Sequence, residues 1–359
     1  MSTLPSVSPP DAFRLRLPGW IGVALASVLV LSLAGCGGGS VDSVGIDGSS
    51  TVFPLTEAVA EEFMAETSGA RVNVGVSGTG GGFSKFLRGE TAINDASRPI
   101  SPEEIEKAEA NGVEYIEIPV AYDGLSVVVH PSNDWIDCIS ARELETLWEP
   151  GSAVDRWNQL REEFPDRPID LYGPGTASGT YDYFTEAIMG ESGASRSDFT
   201  ASEDDNVLAQ GISGTETALG YFGLAYYENN AQDLKALSVD PDSMDGGGSC
   251  VAASSETVQN GTYRPLSRPL FIYVNPAKVT PTVESFVQFY LENAGALAAD
   301  VGYVGMPEDA YELVLQRFES RTTGTVFGAE GVDPTGTQVE KMLRAAMDTT
   351  AAPADTTAQ

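Results

Sequence analysis

Residues 41–66 read VDSVGIDGSSTVFPLTEAVAEEFMAE, and this stretch decides the fold. Residues 41–46 are a short apolar run, Asp47-Gly48 is a turn, and Ala58, Val59, Phe63 and Met64 fall near helical spacing across residues 56–66. Strand and helix patterns then keep alternating. Residues 71–76, 115–120, 124–129, 169–172, 219–227 and 270–274 read as strands. Helices are predicted over 84–88, 180–189, 282–298 and 308–318. Two more open on capping boxes: Ser101-Pro102-Glu103-Glu104, running to Asn111-Gly112, and Ser140-Ala141-Arg142-Glu143, running to Trp148. Such alternation predicts an α/β fold.

Composition narrows the function class. The chain has 359 residues, enough for about two domains, and 42% apolar residues, enough for a core. Asp and Glu number 52 against 20 Lys and Arg, a formal charge of -32. That excess excludes a nucleic-acid partner held by a basic face and a charge-driven contact with anionic lipid. It implies solubility and self-repulsion.

Residues 1–35 read as an export signal rather than fold. Arg14 and Arg16 precede an apolar run over 20–33, short for a membrane span, and Leu33-Ala34-Gly35-Cys36 matches a lipobox. Cys36 is the expected lipidation site, with 36–40 as a flexible tether; a plain signal peptide with a chance Cys is the alternative. The mature chain is then expected in the cell envelope, anchored outside the cytoplasmic membrane. Cys138 and Cys250 are 112 positions apart and read as a disulfide in that compartment, or as two separate buried thiols. No metal site or cofactor is expected, since the one His, His130, has no CxxC beside it. Residues 347–359 are expected to form a disordered tail.

Three strand-to-helix junctions carry the chemistry. They are residues 47–54 (DGSSTVFP), 76–83 (VSGTGGGF) and 173–180 (GPGTASGT). Each places Ser or Thr hydroxyls and glycine-freed N–H groups at a helix N-terminus, which suits an oxyanion. One such junction alone is an ordinary N-cap; three are more than caps require. None is a nucleotide loop, because the Walker lysine and the full GxGxxG are missing. Between them lies Asn94-Asp95-Ala96-Ser97-Arg98-Pro99-Ile100. Arg98 offers a planar fork of donors to a tetrahedral anion, or else forms a surface ion pair. Asp95 and Asp123 are unexpected neighbours for an anion. A carboxylate helps only if the ligand brings a proton, as phosphate does and sulfate does not. Either Asp could serve so, or both could be turn or capping residues.

Taken as an ordered set, Gly48-Ser49-Ser50-Thr51-Val52-Phe53-Pro54-Leu55, Gly78-Thr79-Gly80-Gly81-Gly82-Phe83, Ala96-Ser97-Arg98-Pro99-Ile100, Ala177-Ser178-Gly179-Thr180 and residues 266–274 (LSRPLFIYV) resemble the phosphate-binding lipoprotein of the bacterial phosphate ABC transporter. The resemblance covers about residues 41–325. It implies a type II-like periplasmic-binding-protein fold, with two α/β lobes, two crossing strands and a ligand cleft between. Lobe one would be 41–125 with 270–346, and lobe two 126–269. It implies a phosphate site built from Ser50, Thr51, Val52, Thr79, Gly80, Ser97, Arg98, Ser178, Gly179 and Thr180, with Ser77 beside the second junction. Its implied partners are inorganic phosphate, permease subunits and, through the anchor, the membrane, for a monomeric non-enzyme. One departure stands out: residues 173–176 (GPGT) lack the Arg that many relatives carry there, leaving Arg98 as the expected sole cationic ligand. Rival readings are a binding protein for sulfate or another tetrahedral oxyanion, a phosphatase using Ser178 or Thr79, and a surface lipoprotein that kept the fold and lost the ligand.

Overall fold

In the computed structural model, which describes residues 43–241, 249–328 and 338–351, the deciding stretch forms strand β1 (Ser43–Gly48) and helix α1 (Phe53–Glu66). Val44 and Ile46 enter the core, and α1 buries Leu55, Val59, Ala60 and Phe63. The helix begins at Phe53, earlier than apolar spacing suggests. Pro54 in its first turn lacks an N–H that the helix start would leave unpaired anyway. There follow β2 (Arg71–Val76), α2 (Thr79–Phe86), β3 (Ile93–Ala96), α3 (Pro102–Asn111) and β4 (Ile116–Val129). The Ser101–Glu104 capping box forms, and Gly112 ends α3 in the left-handed region. Residues 115–120 and 124–129, expected as two strands, are one 14-residue strand buried along its whole length.

Next come β5 (Cys138–Ser140), α4 (Ala141–Trp148), β6 (Asp170–Gly173), α5 (Gly179–Met189), β7 (Thr200–Ala201), α6 (Asp205–Ser213), β8 (Ala218–Gly223) and α7 (Leu224–Asn230). The strand expected over 219–227 therefore stops at Gly223, and the rest of it is helix. The chain continues through β9 (Lys235–Ala236), β10 (Ser238–Asp240), α8 (Ser255–Gln259), β11 (Ser267–Val274), α9 (Pro281–Asp300), α10 (Glu308–Glu319) and α11 (Val339–Ala351). The last helix runs on to Ala351, into the first residues of the stretch expected as a disordered tail. Val339 and Leu343, one turn apart, are buried, and the alanines beyond them are strong helix formers. The remaining tail, the signal segment, Cys36 and the tether lie outside the described residues.

The main sheet runs β2-β1-β3-β11-β4-β8-β6-β7. Pairs β1–β2, β1–β3, β6–β7 and β6–β8 are parallel, whereas β11 is antiparallel to both β3 and β4. Strand β4 carries the sheet from one α/β lobe to the other. Up to Gly124 it pairs with β11, and from Leu125 to Val129 it pairs with β8. This is the two-lobe arrangement with crossing strands. Two glycines let the first junctions close. A Cβ on Gly48 would lie 2.1 Å from the Asp95 carbonyl oxygen, and one on Gly82 would lie 2.5 Å from the Gly48 Cα. Cys138 and Cys250 form the expected disulfide, with Cα atoms 6.0 Å apart.

Candidate functional site

A cavity of about 210 Å3 lies where the junctions meet. Ser49, Ser50 and Thr51 come from the β1–α1 turn, Gly78 and Thr79 from the β2–α2 turn, and Ser97 and Arg98 from the end of β3. Asp182, Glu186 and Ser192 come from α5 and the turn after it, and Arg268 comes from β11. Larger cavities exist elsewhere; the chemistry of its lining singles this one out.

The turn after β1 is fixed by its own hydroxyl. Ser49 N–H donates to the Asp95 carbonyl (3.0 Å), and Ser49 Oγ accepts from Thr51 N–H (3.1 Å) and Val52 N–H (3.3 Å). The second and third segments are tied by Thr79 Oγ1 to Ser97 Oγ (3.0 Å) and by Ser97 N–H to Thr79 Oγ1 (3.2 Å). Arg98 is gripped at both nitrogens by Glu104, 2.9 and 3.0 Å away. Glu104 also accepts from Ser101 N–H, so the capping carboxylate of α3 aims the arginine. The Glu104 bond holds the guanidinium's pKa above its ordinary value.

Arg268 is the second cation at the cavity, and sequence reasoning missed it, expecting Arg98 alone. It is 6% exposed and stacks over the Tyr183 ring at 3.8 Å. Its Nη1 lies 3.1 Å from Glu186 Oε2, its Nη2 3.5 Å from Thr51 Oγ1, and its Nε 3.7 Å from Asp123 Oδ2. Asp123 is its register partner across β4 and β11. The sequence did hold a signal: residues 266–274 are apolar but for Ser267 and Arg268, and a buried charge inside such a strand demands a partner.

Neither aspartate proposed as a proton acceptor lines the cavity. Asp123 sits behind Arg268; burial pushes its pKa up to about 6, against the pull of that arginine. Asp95 is fully buried on β3, with no hydrogen bond of good geometry to either carboxyl oxygen among the described residues and the Thr56 hydroxyl as a polar neighbour. Burial pushes its pKa up to about 8, helped by Asp47 and opposed by Thr56. The carboxylates facing the cavity are Asp182 and Glu186, which sequence reasoning did not single out.

Of the other expected residues, Ser50, Thr51, Thr79, Ser97 and Arg98 line the cavity. Val52 is buried behind it. A Cβ built on Gly80 would come within 4.0 Å of Arg98 Nη2. Gly179 packs on the first junction: Thr51 Oγ1 donates to its carbonyl (3.4 Å), and a Cβ there would lie 2.7 Å from the Thr51 Cα. Ser178 caps α5 by accepting from Thr180 N–H (3.2 Å), and neither residue lines the cavity. Ser77 donates to Asp47 instead of facing the cavity. His130 Nδ1 is engaged with Ser132.

Residues 37–294 match the PBP superfamily domain. The chain is 48% identical over 316 residues to Protein SphX of Synechocystis sp., covering 87% of this chain and 93% of that protein. It is 38% identical over 296 residues to the phosphate-binding protein PstS of Staphylococcus saprophyticus, covering 80% of this chain and 89% of that protein. The crystal structure of a possible phosphate binding protein from Planctomyces limnophilus superposes with a TM-score of 0.73 at 43% identity, covering 78% of this chain and 99% of that one.

Proposed function

From the premise that this chain belongs to the PBP superfamily, in the group that holds SphX and PstS, we propose that it binds inorganic phosphate outside the cytoplasm and delivers it to the permease of an ABC transporter. One observation carries the reading. Hydroxyls from two helix-opening turns, Ser97 and two arginines converge on a single cavity of about 210 Å3. Helix N-termini, hydroxyls and guanidinium forks together suit a dehydrated tetrahedral anion. The net charge of -32 does not oppose this, because surface charge is screened beyond about 10 Å at 0.1 M salt while the site acts at contact.

Ser50, Thr51, Thr79, Ser97, Arg98 and Arg268 are the ligands of this proposal. Val52 and Gly80 support the turns, while Ser178, Gly179 and Thr180 bring α5 against Thr51. Asp95 and Asp123 do not line the cavity, so this reading gives the acceptor role to Glu186, 3.1 Å from Arg268, with Asp182 beside it. A carboxylate there tolerates a ligand oxygen that brings its own proton and disfavours sulfate. The lobes of this reading are 41–125 with 270–346 and 126–269; in its support, β4 leaves β11 for β8 after Gly124, and β11 takes up β3 from Phe271. The chain works as a monomer, not an enzyme, held to the membrane through lipid on Cys36.

Calorimetric titration of the mature, unlipidated protein, refolded to strip carried-over ligand, tests the reading. Phosphate should bind tightly and sulfate should give no heat. Silence with both would refute it, and equal binding of both would shift it to a general oxyanion carrier.

A further inference from the structure

Side chains alternate faces along a strand, so the crossing strands have a front and a rear. Asp123 and Arg268 mark the front, toward the anion cavity. Tyr122, paired in register with Pro269, therefore points to the rear. There it lines a second cavity of about 490 Å3 with Gln259, Asn260, Pro307, Gln338 and Lys341.

Two amide side chains reach across this rear cavity in opposite directions. Gln259 ends α8, which is held to lobe two by Ser255 N–H and Oγ donating to Glu228 of α7, both at 2.8 Å. Gln259 Nε2 donates to the Gly305 carbonyl (2.7 Å) in the lobe-one connection between α9 and α10. That connection is bonded to β4 through Tyr122 N–H to Val304 O (2.8 Å) and Val304 N–H to Tyr122 O (2.9 Å). From the other side, Gln338 Nε2 donates to the Asn260 carbonyl (2.7 Å). The next residue, Val339, is buried and donates its N–H to the Tyr122 hydroxyl (3.2 Å), rooting α11 at the crossing.

We propose that Gln259 and Gln338 are positioning residues that set phosphate affinity by holding the lobes closed from behind the hinge; this rests on the phosphate-binding reading. At the front the lobes touch through Thr51 on Gly179, while Glu186 reaches the crossing strand at Arg268. Two bodies turning about an axis through β4 and β11 exchange space between front and rear. Opening the front shrinks the rear cavity and pulls both amides out of line. Each amide bond is thus a contact of the closed arrangement alone, and its free energy adds to that of the bound state. A side chain that filled the rear cavity from one lobe would act in the same direction, as a wedge against opening.

The test pairs variants of opposite sign. Q259A/Q338A should bind phosphate about tenfold more weakly, through faster dissociation in stopped-flow release, with the thermal midpoint of the phosphate-free protein little changed. Lys341→Trp, at an exposed position of α11, should bind more tightly and release more slowly. Unchanged affinity and release in both variants would overturn the proposal even where the wild type binds phosphate. A wild type that fails to bind phosphate would instead overturn the reading beneath it. If the double alanine variant does not fold, the tryptophan variant alone decides, and a weaker or unaltered affinity there is the refuting result.

Discussion

Asp95→Asn should abolish most of one pH slope in stability while leaving phosphate binding nearly intact. Asp95 is fully buried, and burial outweighs the Thr56 hydroxyl that favours its charged form, so the folded chain favours the neutral acid. Its pKa rises from 3.8 to about 8. For an acid whose folded pKa is raised, the unfolded chain gives up the proton near 3.8 and the folded chain keeps it to about 8. Folding then takes up a proton throughout that window. Stability is greatest below it and falls as pH rises, by about 1.4 kcal/mol per pH unit. Between about pH 5 and about pH 8 the loss attributable to this one group is about 4 kcal/mol. An asparagine of the same shape cannot ionise. The variant should match the wild type at the acid end and exceed it by that amount at the alkaline end. Urea unfolding of both proteins across the window, in phosphate-free buffer, measures the difference, and other titrating groups cancel from it. A difference that does not change with pH would refute the burial argument. Because Asp95 does not line the cavity, phosphate affinity at neutral pH should stay within about threefold. A variant that began to bind sulfate would show instead that Asp95 is the acceptor.

Arg268→Lys should cost about 2 kcal/mol of phosphate binding, because a point charge cannot reach the ligand, Glu186 and Asp123 together as the planar fork does; calorimetry checks it. Glu104→Gln should weaken binding about tenfold by freeing Arg98 from its two-point grip, again by calorimetry, and an unchanged affinity would show that Phe83 and the backbone aim the arginine unaided. Glu186→Gln should let sulfate compete with phosphate, as a displacement titration would detect. Replacing Cys138 and Cys250 by Ser should lower unfolding free energy by about 4 kcal/mol with phosphate affinity retained, measured by denaturant titration against the oxidised protein.

What the sequence disclosed and what it hid divide along one physical line. Features that a few neighbouring residues determine were readable: the β1–α1 unit, the capping boxes at Ser101 and Ser140, and the glycine end at Gly112. The hydroxyl-bearing turns were readable for the same reason, since hydrogen bonds to the chain's own next few amides build them, as at Ser49. What a side chain faces after the sheet closes was not readable. Asp95 and Arg98 stand three residues apart, yet one enters the core and the other the cavity, because β3 ends between them at Ala96. Arg268 lies 217 positions from Thr51, and only the antiparallel insertion of β11 between β3 and β4 brings them together.

The missing arginine near Pro174 shows the consequence. Read locally, its absence leaves an anion site short of one charge. Under the proposed phosphate reading, Arg268 on the crossing strand meets that deficit. Arg268 rises from a strand shared by both lobes, backed by Asp123 and facing Glu186 of lobe two. A cation on the crossing strand differs from one on either lobe. It keeps its place relative to the hinge, so the anion and Glu186 come to it as the lobes close. Its pairing with Glu186 also means that the carboxylate and the ligand compete for one guanidinium. A ligand that carries a proton relieves that competition by donating to Glu186, and a fully ionised one intensifies it. On the proposed reading, charge supply and ligand choice fall to the same pair of residues, and neither could be assigned from the stretch of sequence in which it sits.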